Sequence, residues 1–179
     1  MSSCPEVELR KPVASDIDAR FRLGFSPEIL RMYGSEPGPL PEMTEQHAAR
    51  WYEELVKHPC GWVITADSDL VGHVRLDDVD KNDHRARLAI GLLREDDLGR
   101  GIGRAATRLV LAHAFDALKM HRVDLRVLSF NERAIRCYRA CGFKHEGTER
   151  ESAYIAGEWY DDWIMGILEQ EYRAMLSSA

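Results

Sequence analysis

Cysteine and long apolar runs are scarce in this sequence, and basic residues are fewer than acidic ones; each of these excludes something. Four cysteines in 179 residues, Cys4, Cys60, Cys137 and Cys141, are too few and too scattered for a disulfide framework, so reduced thiols are expected. Cys137 and Cys141 stand four apart on an expected helix, but no other Cys or His pair has zinc-site spacing, so no metal is expected. No apolar run approaches the roughly 18 residues that would span a bilayer. The start, MSSCPEVELR, lacks the apolar stretch of a secretion signal, so the expectation is a cytoplasmic protein with no membrane partner. Basic residues are outnumbered 24 to 30, giving a net charge of −6. That balance argues against a nucleic-acid partner and suits a cationic substrate. Proline clusters only at Pro37, Pro39 and Pro41, in SEPGPLPEM, which reads as a loop between helices. No repeat, linker or low-complexity tract interrupts the chain, so residues 1–179 are expected to form a single domain.

What is present is a regular succession of elements. Residues 7–13 read as a strand. Ser15 is placed to cap a helix carrying Asp16 and Asp18 in its first turn, where acids favour the helix dipole. Pro27 opens a short helix that Gly34 stops, and Thr44 begins a longer one that Pro59 ends. The period then shortens to that of strands at 61–67, 70–77 and 85–93, with a tight hairpin at Ser68-Asp69. A loop, REDDLG, leads to a glycine-rich helix start at 100–104, and that helix runs to about Lys119. A strand at 122–129 precedes a helix from Asn131 to Cys141, stopped by Gly142. Two last strands, 143–152 and 158–168, turn at Ala156-Gly157, and a short polar helix closes the chain. The order β-α-α-β-β-β-α-β-α-β-β predicts an α/β (α+β) fold. Its central sheet is mixed and mostly antiparallel, with helices on both faces.

The segment Leu98-Gly99-Arg100-Gly101-Ile102-Gly103-Arg104-Ala105 joins an apolar strand to an amphipathic helix. N–H groups at a helix start are unpaired and lie at the positive end of its dipole, and glycines let an anion approach closely. Arg100 and Arg104 add charge there. Gly101-x-Gly103-x-x-Ala106 also fits a dinucleotide fingerprint. That motif needs an acid at the end of the following strand, and Asp124 stands at its start.

One strand later comes Asn131-x-x-Ala134-x-x-x-Tyr138-x-x-x-Gly142-Phe143. The two motifs in this order resemble the GNAT superfamily of N-acetyltransferases, over about Val7 to Leu168. Glu146-Gly147, Glu149-Arg150, Gly157 and Asp161 are similar to the branch of ribosomal-protein alanine acetyltransferases and spermidine N-acetyltransferases. The resemblance implies acetyl-CoA as co-substrate, and a strand pair, 85–93 and 122–129, splayed to admit its pantetheine arm. It implies arm contacts from the backbone of Leu92, Leu93 and Arg94, diphosphate contacts from Gly99, Arg100, Gly101, Ile102, Gly103, Arg104 and Ala105, and further contacts from Asn131 and Ala134. Asn131 equally suits a plain helix cap. Tyr138 is the candidate general acid, protonating the departing thiolate with a phenol of pKa about 10; without the motif it would read as a packing residue.

Two positions depart from the family pattern. Leu98 replaces a common Gln or Arg, and Arg87 stands where relatives commonly carry a Glu that serves the base; an arginine cannot take that proton. His73 and His84 are alternative bases, and Asp77, Asp78, Asp80 and Glu151 are candidates to bind a cationic acceptor. The acceptor is expected to be a small-molecule or peptide amine: a protein N-terminus, a polyamine, an aminoglycoside-like compound or an amino acid. A non-catalytic acyl-CoA-binding module is the alternative. Trp159, Tyr160 and Trp163 near the end suit a homodimer interface.

Overall fold

The computed structural model describes residues 5–36 and 38–177; Cys4 and Pro37 lie outside the described residues. Seven strands appear in the expected sequence: β1 (Val7–Arg10), β2 (Gly61–Ala66), β3 (Asp69–Asp80), β4 (Arg85–Leu92), β5 (Arg122–Leu128), β6 (Lys144–Ile155) and β7 (Glu158–Leu168). Three helices separate β1 from β2, the Pro27 helix standing as an element of its own: α1 (Ser15–Leu23), α2 (Pro27–Met32) and α3 (Glu45–Lys57). Later come α4 (Ile102–Ala112), α5 (Glu132–Arg139) and α6 (Glu169–Ser177). The strand order is β1-β2-β3-β4-β5-β7-β6. β1 with β2, β2 with β3, β5 with β7 and β6 with β7 pair antiparallel, β4 with β5 in parallel, and a mostly antiparallel sheet removes the dinucleotide-fold alternative.

The chain divides into two compact units. The first comprises Met1–Arg75 and Ile90–Ala106, the second Leu76–Ala89 and Thr107–Ala179. In the first, Leu55, Val63, Leu70 and Leu93 form a buried cluster, covered by Ala19, Leu23 and Trp51. In the second, β5 and β7 bury Val123, Leu125, Met165 and Ile167, and Phe115 stacks on Tyr172 at 4.9 Å. Here β4 pairs with β5 in parallel from Arg85↔Arg122 to Arg87↔Asp124, and there the ladder stops. β5 goes on pairing with β7 as far as Leu128↔Asp162.

Local chemistry explains most element ends. Thr44 caps α3, accepting the His47 N–H at 3.1 Å. Gly142, at φ 93°, ends α5. Two expectations need correction. Ser15 does not cap α1. Asp16 accepts the Val13 N–H at 2.8 Å instead, and its carboxylate is held by Arg10 at 2.6 and 2.7 Å. The first hairpin turns at Asp67-Ser68, one residue earlier than Ser68-Asp69. Both turn residues have positive φ, 51° and 74°, the backbone twist a two-residue hairpin requires.

Candidate functional site

The first unit carries the glycine loop. Leu93 donates its N–H to Val71 O on β3 at 2.9 Å, so this one of the three expected arm donors is already engaged. Successive N–H groups of an extended chain point to opposite sides. Leu92 and Arg94, the latter extended at φ −125°, therefore direct theirs away from β3. Asp97 follows, fully buried, and accepts from Arg94 at 2.7 and 3.1 Å and from Arg100 at 3.0 Å. Arg94 and Arg100 thus share one buried carboxylate, although the segment as a whole, with Arg104, Glu95 and Asp96, balances three cations against three anions. The sequence reading missed Asp97, although its spacing of three residues to an arginine on either side was visible. Gly99 and Gly101 have φ of 78° and 84°, a region where L side chains are strained. The first helical bond of α4 runs from Ala105 N–H to Gly101 O at 3.0 Å, and no acid lies in its first turn. Ile102 is fully buried, so only its backbone is available to a ligand, while Arg100 and Arg104 are exposed.

A polar group lies on the same unit beside β4. Tyr33 donates to Ile90 O at 3.4 Å. Its hydroxyl fills the space a side chain at Gly91 would occupy, since a Cβ there would come within 1.4 Å of Tyr33 Oη. Tyr33 is 55 % exposed, yet burial pushes its hydroxyl up to about 12. The residue as a whole meets solvent, while its hydroxyl lies against Ile90 and Gly91. His73, half-buried on β3, is bonded to Trp51 Nε1 at 3.3 Å. Burial and then the charges of Arg75 and Arg20 push it down to about 4.

The second unit carries the other motif. Asn131 caps α5, its Oδ1 accepting the Ala134 N–H at 3.2 Å, which leaves the Nδ2 amide as its donor. Tyr138, half-buried in the last turn, meets Phe143 edge-on at 5.9 Å. Arg87 donates to Asp124 at 2.8 Å, and that bond raises its pKa further, so it holds strands together and takes no proton. His84, exposed, is tied to Lys119 O at 3.2 Å, eight residues before Leu92 at the opposite end of β4. Asp78, Asp80 and Asp124 line a cleft of about 830 Å³ together with Lys81, Arg85 and Arg87. Three acids against three bases make it a poor cation trap. Asp80 instead caps its own turn, accepting the Asn82 and Asp83 N–H groups at 2.8 and 3.0 Å. Glu151 sits exposed at φ 53°, its N–H held by Asp161. Trp163 is covered by Arg139 and His145, which leaves Trp159, 60 % exposed and packed on Tyr154 at 4.8 Å, as the aromatic surface.

Among the described residues no group of three or more His, Cys, Asp or Glu is disposed to hold a metal ion. No helix among them is long and apolar enough to cross a membrane. Cys60, Cys137 and Cys141 are thiols.

A family model described as an acetyltransferase (GNAT) domain matches residues 6–144. Spermidine N(1)-acetyltransferase of Escherichia coli K12 is 25% identical over 175 residues, 97% of this chain and 92% of that protein. An L-amino acid N-acetyltransferase of the same organism is 28% identical over 164 residues, covering 89% and 96%. Among solved structures, a spermidine N-acetyltransferase from Vibrio cholerae in complex with CoA and spermine superposes with a TM-score of 0.76 at 24% identity, covering 93% of this chain and 98% of that one. A GNAT-family acetyltransferase from Bacillus anthracis gives 0.77 at 18% identity, covering 93% and 97%.

Proposed function

We propose, from the premise that this chain belongs to the GNAT acetyltransferase family, that it transfers an acetyl group from acetyl-CoA to a primary amine. The observation that carries this reading is the loop before α4. Two glycines at positive φ open a helix whose first turn is free of acids, beside a pair of arginines that share one carboxylate. A helix start of this kind suits a diphosphate, because its exposed amide dipoles favour an anion. Acetyl-CoA supplies that diphosphate and an acyl group activated as a thioester.

The chain's own residues then take these roles. Gly99, Arg100, Gly101, Ile102, Gly103, Arg104 and Ala105 bind the diphosphate, Ile102 through its backbone alone. Leu92 and Arg94 hold the arm through their N–H groups, and one of these polarises the thioester carbonyl. Leu93 anchors the segment on Val71. Asn131 donates to the arm through Nδ2 while Oδ1 keeps α5 capped, and Ala134 keeps that turn small. A C–N bond forms as the C–S bond breaks, and Tyr138 protonates the departing sulfur. The proton shed by the amine passes to water, because Arg87 is engaged and permanently charged. His73 at about 4 is too weak a base to draw it efficiently.

Calorimetric titration with acetyl-CoA, followed by CoA-thiol release with a panel of amines, tests this. Binding and turnover are expected. Binding without turnover for every amine would favour the acyl-CoA-binding module instead, and absence of binding would overturn both. The proposal extends to one acetyltransferase domain over residues 1–179, cytoplasmic, homodimeric, and without nucleic-acid or membrane partners. The exposed Trp159–Tyr154 pair supports the dimer, and a monomer mass in light scattering would contradict it.

A further inference from the structure

The first unit buries a cation that no carboxylate neutralises. Arg20, in the last turn of α1, is only 7 % exposed. Its Nη1 donates to Gly24 O at 2.6 Å, and its guanidinium lies over the Phe25 ring, 5.3 Å from the centroid. Its Nε is buried without a hydrogen bond, and among the described residues no carboxylate forms an ion pair with it. A guanidinium has five donors and stays charged, and here the Nε–H is left without an acceptor. Burying such a charge is strongly unfavourable. The other buried charged residues each have counter-ions: Asp16 has Arg10, Asp97 has Arg94 and Arg100, and Asp124 has Arg87 and Arg122. Arg20 is the exception.

Its neighbours give the exception a direction. Arg20 holds Gly24 O, and Ser26, two residues further on, donates to Glu95 Oε1 at 2.6 Å, directly after Arg94; the Arg20 charge also acts on Tyr33 and His73. Tyr33, exposed as a residue, sets its hydroxyl at the Ile90 carbonyl. A side chain that runs from surface to strand in this way gives a small molecule a wall to follow. Ile90 and Gly91 lead directly into Leu92, one of the two N–H groups assigned above to the thioester arm. A ligand whose anionic end meets Arg20 therefore holds its other end close to that segment of β4. A polyamine, cationic throughout, gains nothing from Arg20 and is repelled by it. A planar carboxylate matches the guanidinium fork and supplies the missing counter-ion.

We propose that Arg20 anchors a carboxylate of the acceptor, so that the amine acetylated belongs to a small molecule of the amino-acid type and not to a polyamine. The proposal rests on the acyl-transfer reading above and specifies its acceptor.

The test measures CoA-thiol release with a panel of L-amino acids, each beside its primary amide, together with spermidine and O-phosphoethanolamine. At least one amino acid is expected to exceed its own amide by about 100-fold in kcat/KM, because the amide leaves the buried guanidinium unsatisfied. Spermidine and phosphoethanolamine are expected to fall below that amino acid. Arg20→Gln is expected to lower the amino-acid value about 100-fold and the amide value less than about 3-fold, collapsing the ratio. Arg20→Lys is expected to recover part of the preference, having the charge without the fork. Equal rates for acid and amide, a preference for spermidine or phosphoethanolamine, or an equal loss for acid and amide in Arg20→Gln would overturn the anchor. Should Arg20→Gln not fold, the wild-type ratio decides alone. Should acetyl-CoA bind without turnover of any amine, calorimetry of the CoA-loaded protein with the amino acids decides, and no binding overturns the anchor. Failure to bind acetyl-CoA would instead overturn the acyl-transfer reading itself, so the two failures are distinct.

Discussion

The two units treat their arginines differently. In the second, three strand arginines are matched with carboxylates on neighbouring strands. Arg87 meets Asp124 at 2.8 Å, Arg126 meets Asp162 at 2.9 Å and also Glu149, and Arg122 meets Glu146 at 2.5 and 2.7 Å. The last pair reaches across β7 over Gly166, where a Cβ would lie 2.6 Å from Glu146 Oε1. In the first unit, Arg10 is likewise matched, by Asp16, but Arg94 and Arg100 share a single carboxylate and, among the described residues, none pairs with Arg20. The difference separates charge that holds a sheet from charge left for a ligand. Matched pairs have little attraction to offer an incoming anion, whereas under-matched ones carry an electrostatic deficit that a diphosphate or carboxylate can fill.

The largest expected effect comes from supplying that missing anion within the chain. Gly101→Asp is expected to weaken acetyl-CoA binding at least about 100-fold, since it adds a negative charge to the loop and a side chain at φ 84°. Gly101→Ala, which adds strain without charge, is expected to lose less. Calorimetric affinities within a few-fold of wild type for Gly101→Asp would remove the loop from the site.

Next is the uncharged contribution of the second unit. Tyr138→Phe is expected to lower kcat by about 10- to 1,000-fold and leave acetyl-CoA affinity within a few-fold, because the ring still packs on Phe143 and only the proton donor is lost. The departing thiolate, with a pKa near 8.5 by analogy with cysteine, leaves tolerably unprotonated, so activity is not abolished. Wild-type kcat with chemistry rate-limiting would make Tyr138 a packing residue.

Asp97→Ala sharpens the comparison further, because charge and position have opposite signs there. Removing the carboxylate raises the loop's net charge but releases Arg94 and Arg100 from their hydrogen bonds. Acetyl-CoA binding is expected to weaken about 3- to 10-fold if orientation dominates. Tighter binding in calorimetry would show that Asp97 merely neutralises.

Where sequence patterns are local, they read directly into structure. Thr44, Gly142 and the Ala156-Gly157 turn act on backbone groups within a few residues, and each ends or begins its element as expected. The motif of Asn131, Ala134 and Tyr138 came from spacing on one helix and lies on α5 as anticipated. What escaped depends on partners distant in sequence or on backbone without a glycine signal. The Asp67-Ser68 turn puts two non-glycine residues at positive φ, so nothing in composition separated it from Ser68-Asp69. Leu93 lost its N–H to Val71, 22 residues earlier, and Arg20 became a buried cation only once α1 had packed. Arg87 looked like a missing base and is a strand clamp, because Asp124 lies 37 residues away.

The smallest expected effect tests the matched side. Glu146→Gln keeps the shape over Gly166 and removes one charge from the Arg122 pair. Both side chains are partly exposed, 35% and 28%, so the pair is worth at most about 1 kcal/mol. For a chain of this size that corresponds to a loss of about 1–3 °C in Tm at pH 7. The pH dependence identifies the cause. The hydrogen bond from Arg122 outweighs burial and the like charge of Glu171, and holds the Glu146 carboxyl below its ordinary value. A carboxyl depressed in the folded state stabilises fully above its unfolded pKa, near 4.3, and loses that contribution as pH falls through the folded value. Arg122 itself is raised, so its contribution persists throughout the acid range. The difference in Tm between wild type and Glu146→Gln is therefore expected to be constant from pH 6 to 8 and to shrink below about pH 4. A difference that stays the same at pH 3 would mean that the variant disturbs the packing over Gly166 and that the charge of the pair contributes nothing.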